Sequence, residues 1–230
     1  MSLKAHEVIK QSEVIVGYKT YLALIANLTA GKTVISTGMT QEIERVKIAI
    51  NLAQKGKKVS LVSSGDPGVY GMAGLALELI GQKGGNNIKI EVIPGITAAT
   101  SCASILGAPL MHDFAVISLS NLLTDMKLIE KRVKLAAKAD LVIVFYNPRS
   151  KKRIDPLRRA WQILLEHKPA TTPVGIVRNA GRENPKVIIT TLKKMLLVKG
   201  IDMLTTIIIG NSKTYLKNKH LITPRGYKLD

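Results

Sequence analysis

The sequence predicts an α/β protein of two domains, with a mainly parallel first sheet and a mixed second sheet. Short apolar runs typical of buried strands alternate with segments whose apolar residues lie three and four apart, as in helices. This alternation indicates βαβ units, in which helices cover both faces of a parallel sheet. Three strand-like runs near the carboxyl end follow one another closely, which indicates that part of the second sheet is antiparallel.

The first half of the chain alternates strands with helices. Strands are predicted at EVIVG, KTVIST, KKVSLVSS and IKIEVIPG. Helices are predicted at LKAHEVIKQ, over Tyr18 to Asn27, over QEIERVKIAINLAQKG, after Tyr70 and from Thr97.

The second half continues the pattern with shorter connections. Strands are predicted at FAVISLS, DLVIVFYNP, TPVGIVRNAG, KVIITT and LTTIIIGNS, and helices at MKLIEKRVKLAAKA, DPLRRAWQILLEHK and LKKMLLVKG. Around residues 107–114 (GAPLMHDF) the alternation pauses, so we place a boundary between domains 1–112 and 113–230. The basic tail beyond Leu216 is predicted to be partly disordered.

Composition narrows the class of protein. No apolar run is long enough to cross a bilayer and the start has no hydrophobic signal region, so we expect a soluble, cytoplasmic protein without a membrane partner. The single Cys102 agrees with a reducing compartment, and its small-residue surroundings favour a buried structural thiol over a nucleophile.

The positive charge is concentrated in the second half. The net charge is +4 over residues 1–112 and +14 over residues 113–230. Such an excess indicates either an anionic partner or a lysine-rich solvated surface. Aromatic residues make up 4% of the chain, so stacking platforms for single-stranded nucleic acid are scarce.

A glycine loop, SSGDPGVYG, joins the third predicted strand to a helix. Its glycines are spaced three and three, unlike the dinucleotide fingerprint, and no lysine followed by Ser or Thr opens the helix, unlike a phosphate loop. Asp66, just past the strand's carboxyl end, suits a ligand with hydroxyls or an amine. The alternative is an ordinary Asp-Pro-Gly turn.

Three further polar loops follow predicted strands. Thr97 stands at the start of a helix, where it either caps the helix or helps its amides hold a carboxylate. The other two loops present Tyr146, Asn147 and Arg149, and Arg178, Asn179 and Arg182. Together the four loops predict a cleft between the domains.

Several kinds of site are not indicated. The four histidines are scattered without cysteine partners, so no metal site is expected. His112, at the predicted domain junction, is either structural or catalytic. Nucleic-acid-binding signatures are also missing.

The loops resemble a known family. SSGDPGVYGMAG, IPGITAATSCASILGAPLMHDFAVISLS, VFYNPRSKKR and VRNAGRE are similar to the tetrapyrrole methyltransferases of corrin biosynthesis, above all to the C-17 methyltransferases of precorrin-3B and cobalt-precorrin-3. The similarity runs from about residue 17 to residue 212.

The resemblance implies two α/β domains with a trough between them, a homodimer, and S-adenosylmethionine as methyl donor, with S-adenosylhomocysteine as product. It implies methylation of C-17 of an anionic tetrapyrrole with ring contraction, in cobalamin biosynthesis. The cofactor-binding residues that it implies are Ser64, Gly65, Asp66, Val69, Tyr70, Thr97, Ala98, Tyr146 and Ala180.

One departure from the family lies at the start of the chain. Family members begin with a strand and a glycine loop, whereas this sequence begins with the first helix. Because the family's loop lines the trough, we expect this chain to be impaired in activity.

Substrate and proton-transfer residues follow from chemistry. The tetrapyrrole carries acetate and propionate side chains, for which arginines offer bidentate contacts. We expect these contacts from Arg149, Arg153, Arg178 and Arg182. Ring contraction needs proton transfers, for which Tyr70, His112 and Thr97 are the candidates.

Two rival functions remain open at this point. The nearer is a related methyltransferase that acts at another corrin carbon, or a diphthine synthase, whose substrate is a protein histidine. The more distant is a basic nucleic-acid-binding module, which would bind duplex or RNA with a steep salt dependence.

Overall fold

The computed structural model of the chain describes residues 1–82, 88–150 and 153–228. These residues form two compact units, an N-terminal unit (Met1–Thr97) and a C-terminal unit (Ala98–Asp230). Across the described ranges, no helix combines the length and apolar character needed to span a membrane.

The N-terminal unit is built on a three-stranded parallel sheet, as predicted. Its strands are β1 (Val14–Tyr18), β2 (Thr33–Thr37) and β3 (Val59–Val62), in the order β2-β1-β3. Its helices are α1 (Leu3–Gln11), α2 (Lys19–Ala23), α3 (Glu42–Gln54) and α4 (Ala73–Gln82), with a 3-10 turn η1 (Ala26–Leu28). The single helix expected over Tyr18 to Asn27 is therefore divided into two short pieces.

Both faces of the central strand β1 are covered. Val14 and Val16 pack with Ala49 of α3 on one face, and Ile15 packs with Ile9 and neighbouring apolar residues on the other. Alternate strand residues point to opposite faces, so a continuous apolar run is what a covered parallel strand needs. This burial explains why EVIVG predicted its strand correctly.

The strand predicted at IKIEVIPG is wrong for the described residues 88–95, which have no strand assignment. The segment bonds to side chains of the first helical segment instead of to a strand. The Ser2 hydroxyl donates to the Pro94 carbonyl at 2.8 Å, and Lys4 pairs with Glu91. Ile90 and Val92 remain exposed. An apolar run alone therefore did not decide whether a strand forms.

The C-terminal unit contains a mixed five-stranded sheet, as predicted. Its strands are β5 (Phe114–Ser118), β6 (Val142–Tyr146), β7 (Pro173–Arg178), β8 (Lys186–Thr191) and β9 (Thr205–Ile209), in the order β5-β6-β9-β7-β8. Strand β9 runs antiparallel to both β6 and β7. Its helices are α5 (Ala98–Leu106), α6 (Met126–Lys138) and α7 (Asp155–His167). The helix expected at LKKMLLVKG is a 3-10 helix, η2 (Leu192–Leu197).

Helix α5 packs on one face of this second sheet. Its Cys102 and Leu106 belong to the same buried cluster as Val142 and Val144 of β6. The chain passes from the N-terminal unit to the C-terminal unit between residues 97 and 98. The domain boundary after residue 112 stays a prediction. Burial raises the pKa of the Cys102 thiol to about 11, as suits a structural thiol.

The tail beyond Leu216 was predicted to be partly disordered, and this prediction is wrong for residues 217–222. Strands β10 (Tyr215–Lys217) and β11 (His220–Ile222) form a hairpin, and β11 pairs with the short strand β4 (Gly107–Ala108). Leu221 is fully buried. The packing of Leu221 and the pairing of β11 with β10 and β4 order this part of the basic tail.

A buried lysine lies near the start of β6. Lys168 is 2% exposed and donates to the Leu141 carbonyl at 3.0 Å and to the Asp140 carboxylate at 3.3 Å. Asp140 also accepts the backbone N–H of Ser212 at 2.9 Å. Burial raises the pKa of Asp140, but the hydrogen bonds from Ser212 and the charge of Lys168 outweigh it and hold that pKa below its usual range.

We expect Asp140→Asn to lower the free energy of unfolding of the C-terminal unit by about 2 kcal/mol, because a buried ammonium loses its carboxylate. Asparagine tolerates the left-handed backbone at this position (φ 52). The only tryptophan, Trp161, lies in α7, so its fluorescence during urea unfolding reports on this unit. The control Arg158→Ala, which breaks an exposed ion pair with Asp155, should change stability by at most about 0.5 kcal/mol.

The same pair predicts a pH dependence. A lowered carboxylate pKa stabilises the fold above the unfolded value of about 3.9, and this contribution is lost as pH falls through the folded value. The stability difference between wild type and Asp140→Asn should therefore narrow from pH 7 to pH 3. An unchanged difference at both pH values would show that the charge of Asp140 is not its source.

Candidate functional site

The glycine loop joins the carboxyl end of β3 to the start of α4. Asp66 and Pro67 accept backbone amides within the loop, from Val69 at 3.2 Å and from Ala73 at 3.0 Å. The Ser63 hydroxyl accepts the amide of Met72 at 3.3 Å. The loop is thus folded on itself by backbone contacts, which fixes the positions of the predicted cofactor residues Ser64, Gly65, Asp66, Val69 and Tyr70.

The Asp66 carboxylate joins this loop to a second one. One oxygen accepts the amide of Gly68 at 2.8 Å, and the other accepts the amide of Gly95 at 2.9 Å. Gly95 lies two residues before Thr97, at the end of the N-terminal unit. Each oxygen retains one further acceptor position. Asp66 therefore positions the loops, and its ability to contact a ligand as well stays a prediction.

Two glycines permit the close approach of these backbones. A Cβ on Gly95 would lie 1.9 Å from the Gly65 carbonyl oxygen, and a Cβ on Gly71 would lie 2.5 Å from the Pro67 carbonyl oxygen. Neither distance is possible for a side chain. The spacing of the glycines thus serves the folding of the loop and its contact with the 94–97 segment.

Tyr70 has an unusual backbone. Its φ of 53 lies in the left-handed region, which is costly for an aromatic residue, and its side chain is 57% exposed. Strain of this kind in a loop at a strand's carboxyl end is a reason to suspect function.

A buried arginine that the sequence analysis missed lies behind the glycine loop. Arg45 of α3 donates to the Thr37 hydroxyl and the Gly38 carbonyl, both at 2.6 Å, and to the Met72 sulfur at 3.3 Å. It links the end of β2 to the start of α4. The sequence indicates this residue only through its charge, because Arg45 occupies a position of α3 at which the helical pattern predicts an apolar side chain.

In the C-terminal unit, two predicted cofactor residues lie at the start of α5, and a third packs against the same buried cluster as this helix. Ala98 is its first residue, and the Tyr146 hydroxyl accepts the backbone amide of Ala99 at 2.5 Å. Tyr146 and Ala180 pack against the same buried cluster as α5. The hydrogen bond between Ala99 and Tyr146 therefore brings together residues that are 47 positions apart in the sequence.

One edge of the second sheet gathers the polar loops. The carboxyl ends of β5, β6 and β7 and the amino end of the antiparallel β9 lie there. Asn147 and Asn179, each directly after a strand, have φ values of 51 and 59. Asparagine accepts this left-handed conformation more readily than most residues, so both strands end in the same kind of turn.

The four predicted substrate arginines lie at or near this edge, but their environments differ. Arg153 donates to the Leu119 carbonyl at 2.8 Å and to the Met203 sulfur at 3.2 Å, and its burial lowers its pKa. Arg178 donates to the Asp202 carboxylate at 2.9 Å. Arg149 and Arg182 are partly exposed. Asp202 was missed by the sequence analysis because it precedes a strand that runs in the opposite direction.

His112 lies at the opposite edge of the sheet. It precedes the amino end of β5, whereas Tyr146 and Arg178 stand at carboxyl ends. Its Nδ1 accepts the amide of its neighbour Asp113 at 2.9 Å. The structure does not bring His112 to the other predicted site residues of its unit.

Possible metal ligands do not cluster in the parts of the chain that the structure describes. Over residues 1–82, 88–150 and 153–228, no group of three or more His, Cys, Asp or Glu side chains is arranged to hold a metal ion.

Comparison with known proteins gives consistent results. The cobalt-factor III methyltransferase of Priestia megaterium is 50% identical over 98% of this chain, which spans 42% of that relative's length. A protein of Salmonella typhimurium named "Probable cobalt-factor III C(17)-methyltransferase" is 51% identical over 100% of this chain and 94% of its own. The crystal structure of the methyltransferase CobJ superposes with a TM-score of 0.89 at 32% identity, covering 97% of this chain and 93% of that one.

The family model described as "Tetrapyrrole (Corrin/Porphyrin) Methylases" matches residues 1–196. The match includes the glycine loop, the 94–97 segment and the polar loops that follow β6 and β7. The chain belongs to the tetrapyrrole (corrin/porphyrin) methylase family.

Proposed function

We propose that the protein is an S-adenosylmethionine-dependent methyltransferase that methylates C-17 of cobalt-factor III or precorrin-3B, with ring contraction, in cobalamin biosynthesis. The observation that carries this proposal is the 51% identity to the Salmonella relative, which extends over the whole of this chain and 94% of that protein. The name of that relative specifies both the substrate and the carbon. Any cobalt ion belongs to the substrate.

The residues of the N-terminal unit fit a folded, zwitterionic cofactor. Asp66 joins the glycine loop to the 94–97 segment without a lysine, and its spare acceptor positions suit hydroxyl or amine donors. Bound S-adenosylmethionine would supply a methyl group that its sulfonium already activates, with S-adenosylhomocysteine as the product. The chain therefore needs to align the reacting groups and exclude water.

The proposed cofactor contacts come from both units. In the N-terminal unit they are the loop residues Ser64, Gly65, Asp66, Val69 and Tyr70, with Thr97. In the C-terminal unit they are Ala98 and Tyr146, at the start of α5, and Ala180, which packs against the same buried cluster as α5. The backbone contacts of the loops hold these residues in place before any ligand binds.

Tyr70 is the better supported of the proposed proton-transfer residues. It is exposed, and its left-handed backbone is maintained at an energetic cost. His112 lies at the amino end of β5, away from Tyr146 and the arginines of its own unit. We therefore propose Tyr70 as a proton donor or acceptor during ring contraction and assign no chemical role to His112.

We also propose that the protein is a homodimer in the cytoplasm. The family resemblance supports the dimer, and the single reduced Cys102 is compatible with a reducing compartment. No observation favours a related methyltransferase for another carbon, diphthine synthesis, or nucleic-acid binding over the C-17 reaction.

The function is tested by turnover. We expect the protein with S-adenosylmethionine and cobalt-factor III to release one S-adenosylhomocysteine per methyl group transferred. With a ¹³C-labelled methyl donor, carbon NMR of the product should place the label at C-17. Label at another carbon would identify a different methyltransferase, and no transfer despite cofactor binding would overturn the proposed substrate.

We expect Asp66→Asn to weaken S-adenosylhomocysteine binding by about tenfold in titration calorimetry, because an amide cannot accept from both Gly68 and Gly95. One N–H would face an NH₂ group, and the two loops would separate. The matched control is Glu13→Gln, whose carboxylate also accepts a backbone amide, from Lys58 at 2.9 Å, at the amino end of β1. Equal affinities of wild type and Asp66→Asn would show that this carboxylate does not position the loops.

We expect Arg149→Ala and Arg182→Ala each to raise the KM for the tetrapyrrole by about tenfold, because each removes a cation that pairs with a substrate carboxylate. The effect should shrink at high salt. Arg178→Ala should have a smaller effect, because Asp202 already neutralises that guanidinium. The control is Arg132→Ala, an exposed arginine in the middle of α6. An unchanged KM in both site variants would remove these arginines from the substrate site.

A further inference from the structure

The short loop between β5 and α6 presents two adjacent leucines to solvent. Leu122 is 74% exposed and Leu123 is 100% exposed. The loop is anchored at its start, where the Ser118 hydroxyl accepts from the Asn147 side chain at 3.0 Å and Leu119 is fully buried. At its end, Asp125 caps α6 by accepting the amide of Lys127 at 3.1 Å. Both ends of the loop are therefore held by hydrogen bonds, and the two leucines lie exposed between them.

More exposed apolar side chains lie at the same edge of the second sheet. Ile154 follows the loop after β6, and Met203 and Leu204 precede the antiparallel β9. These residues and the two leucines lie at one edge of the sheet, and we call this group the apolar rim: Leu122, Leu123, Ile154, Met203 and Leu204. Single exposed apolar residues are ordinary, whereas a group of this kind marks a binding surface.

Arginines are interspersed with the apolar rim. Arg153 contacts both the Leu119 carbonyl and the Met203 sulfur, so its guanidinium lies between the two apolar segments. Arg178 is the last residue of β7. The next residue, Asn179, extends the pairing of β7 with β9, because its amide donates to the Leu204 carbonyl at 3.1 Å. An apolar surface with cations at fixed places suits a flat apolar ligand that carries carboxylates at its periphery.

We propose that the apolar rim binds a face of the tetrapyrrole macrocycle, with Leu122 and Leu123 as its principal contacts. This proposal rests on the proposed function and adds residues to the substrate site. Charge complementarity favours this occupant, because residues 113–230 carry a net charge of +14 and the substrate is a polycarboxylate. A second copy of the chain would bring the same positive charge to the surface.

The variant Leu122→Ser/Leu123→Ser tests the proposal. We expect its KM for cobalt-factor III to rise at least about tenfold, because two leucines no longer contact the macrocycle, while the KM for S-adenosylmethionine stays unchanged. This rise in KM should be similar at low and high salt, whereas the rise in KM of the arginine variants should shrink at high salt. The control is Leu197→Ser, a 77% exposed leucine at the end of η2, at the opposite edge of the same sheet. The KM of this control variant for cobalt-factor III should equal that of wild type.

A direct binding measurement tests the apolar rim independently of the proposed methyl-transfer reaction. Fluorescence quenching of uroporphyrin, an octacarboxylate tetrapyrrole, needs no turnover, so a weaker affinity in the double variant supports the apolar rim even if cobalt-factor III is not methylated. Wild-type affinity and KM in the double variant would overturn the proposal while leaving the reaction intact. An altered molecular mass in light scattering with an unchanged KM would also overturn it, in favour of a surface between copies of the chain.

Discussion

The carboxylate of Asp66 accepts backbone amides from two loops, that of Gly68 in its own loop and that of Gly95 at 2.9 Å in the 94–97 segment. The rest of the proposed cofactor site in the N-terminal unit depends on this arrangement. The 94–97 segment has no strand to hold it, and only a glycine at position 95 can come so close to the Gly65 carbonyl. Removing the carboxylate would leave two amides without an acceptor.

In the C-terminal unit, the direction of one strand has a similar importance. The antiparallel strand β9 determines which residues lie together at the edge of the sheet. Because β9 runs against β6 and β7, the residues before it lie beside the residues that follow the other strands. Asp202 therefore reaches Arg178, and Met203 reaches Arg153. A fully parallel sheet would place the start of β9 at the other edge, and Arg178 would lose this partner.

Alternation of apolar runs predicted both sheets, because buried strands need continuous apolar sequence whichever partner they find. This alternation predicted the structure incorrectly where a hydrogen-bonding or packing partner decides whether a strand forms. Residues 88–94 look like a strand yet bond to Ser2 and Lys4, and the basic tail forms a hairpin because Leu221 reaches a core and β11 finds β4. The motifs predicted the loop residues of the candidate site, whereas Asp202 and Arg45 act through contacts that no local pattern encodes.

The polar residues of these loops are engaged chiefly with the protein's own backbone. Asp66 binds loop amides, the Tyr146 hydroxyl accepts the amide of Ala99, and Arg153 donates to the Leu119 carbonyl. Proton transfer during the proposed ring contraction would need a group directed at the substrate, which is the role proposed for the exposed Tyr70. Methyl transfer from a sulfonium instead needs alignment to within fractions of an ångström, since a misplacement of about 1 Å costs roughly a hundredfold in rate. Polar side chains that fix loop geometry are what such a reaction requires.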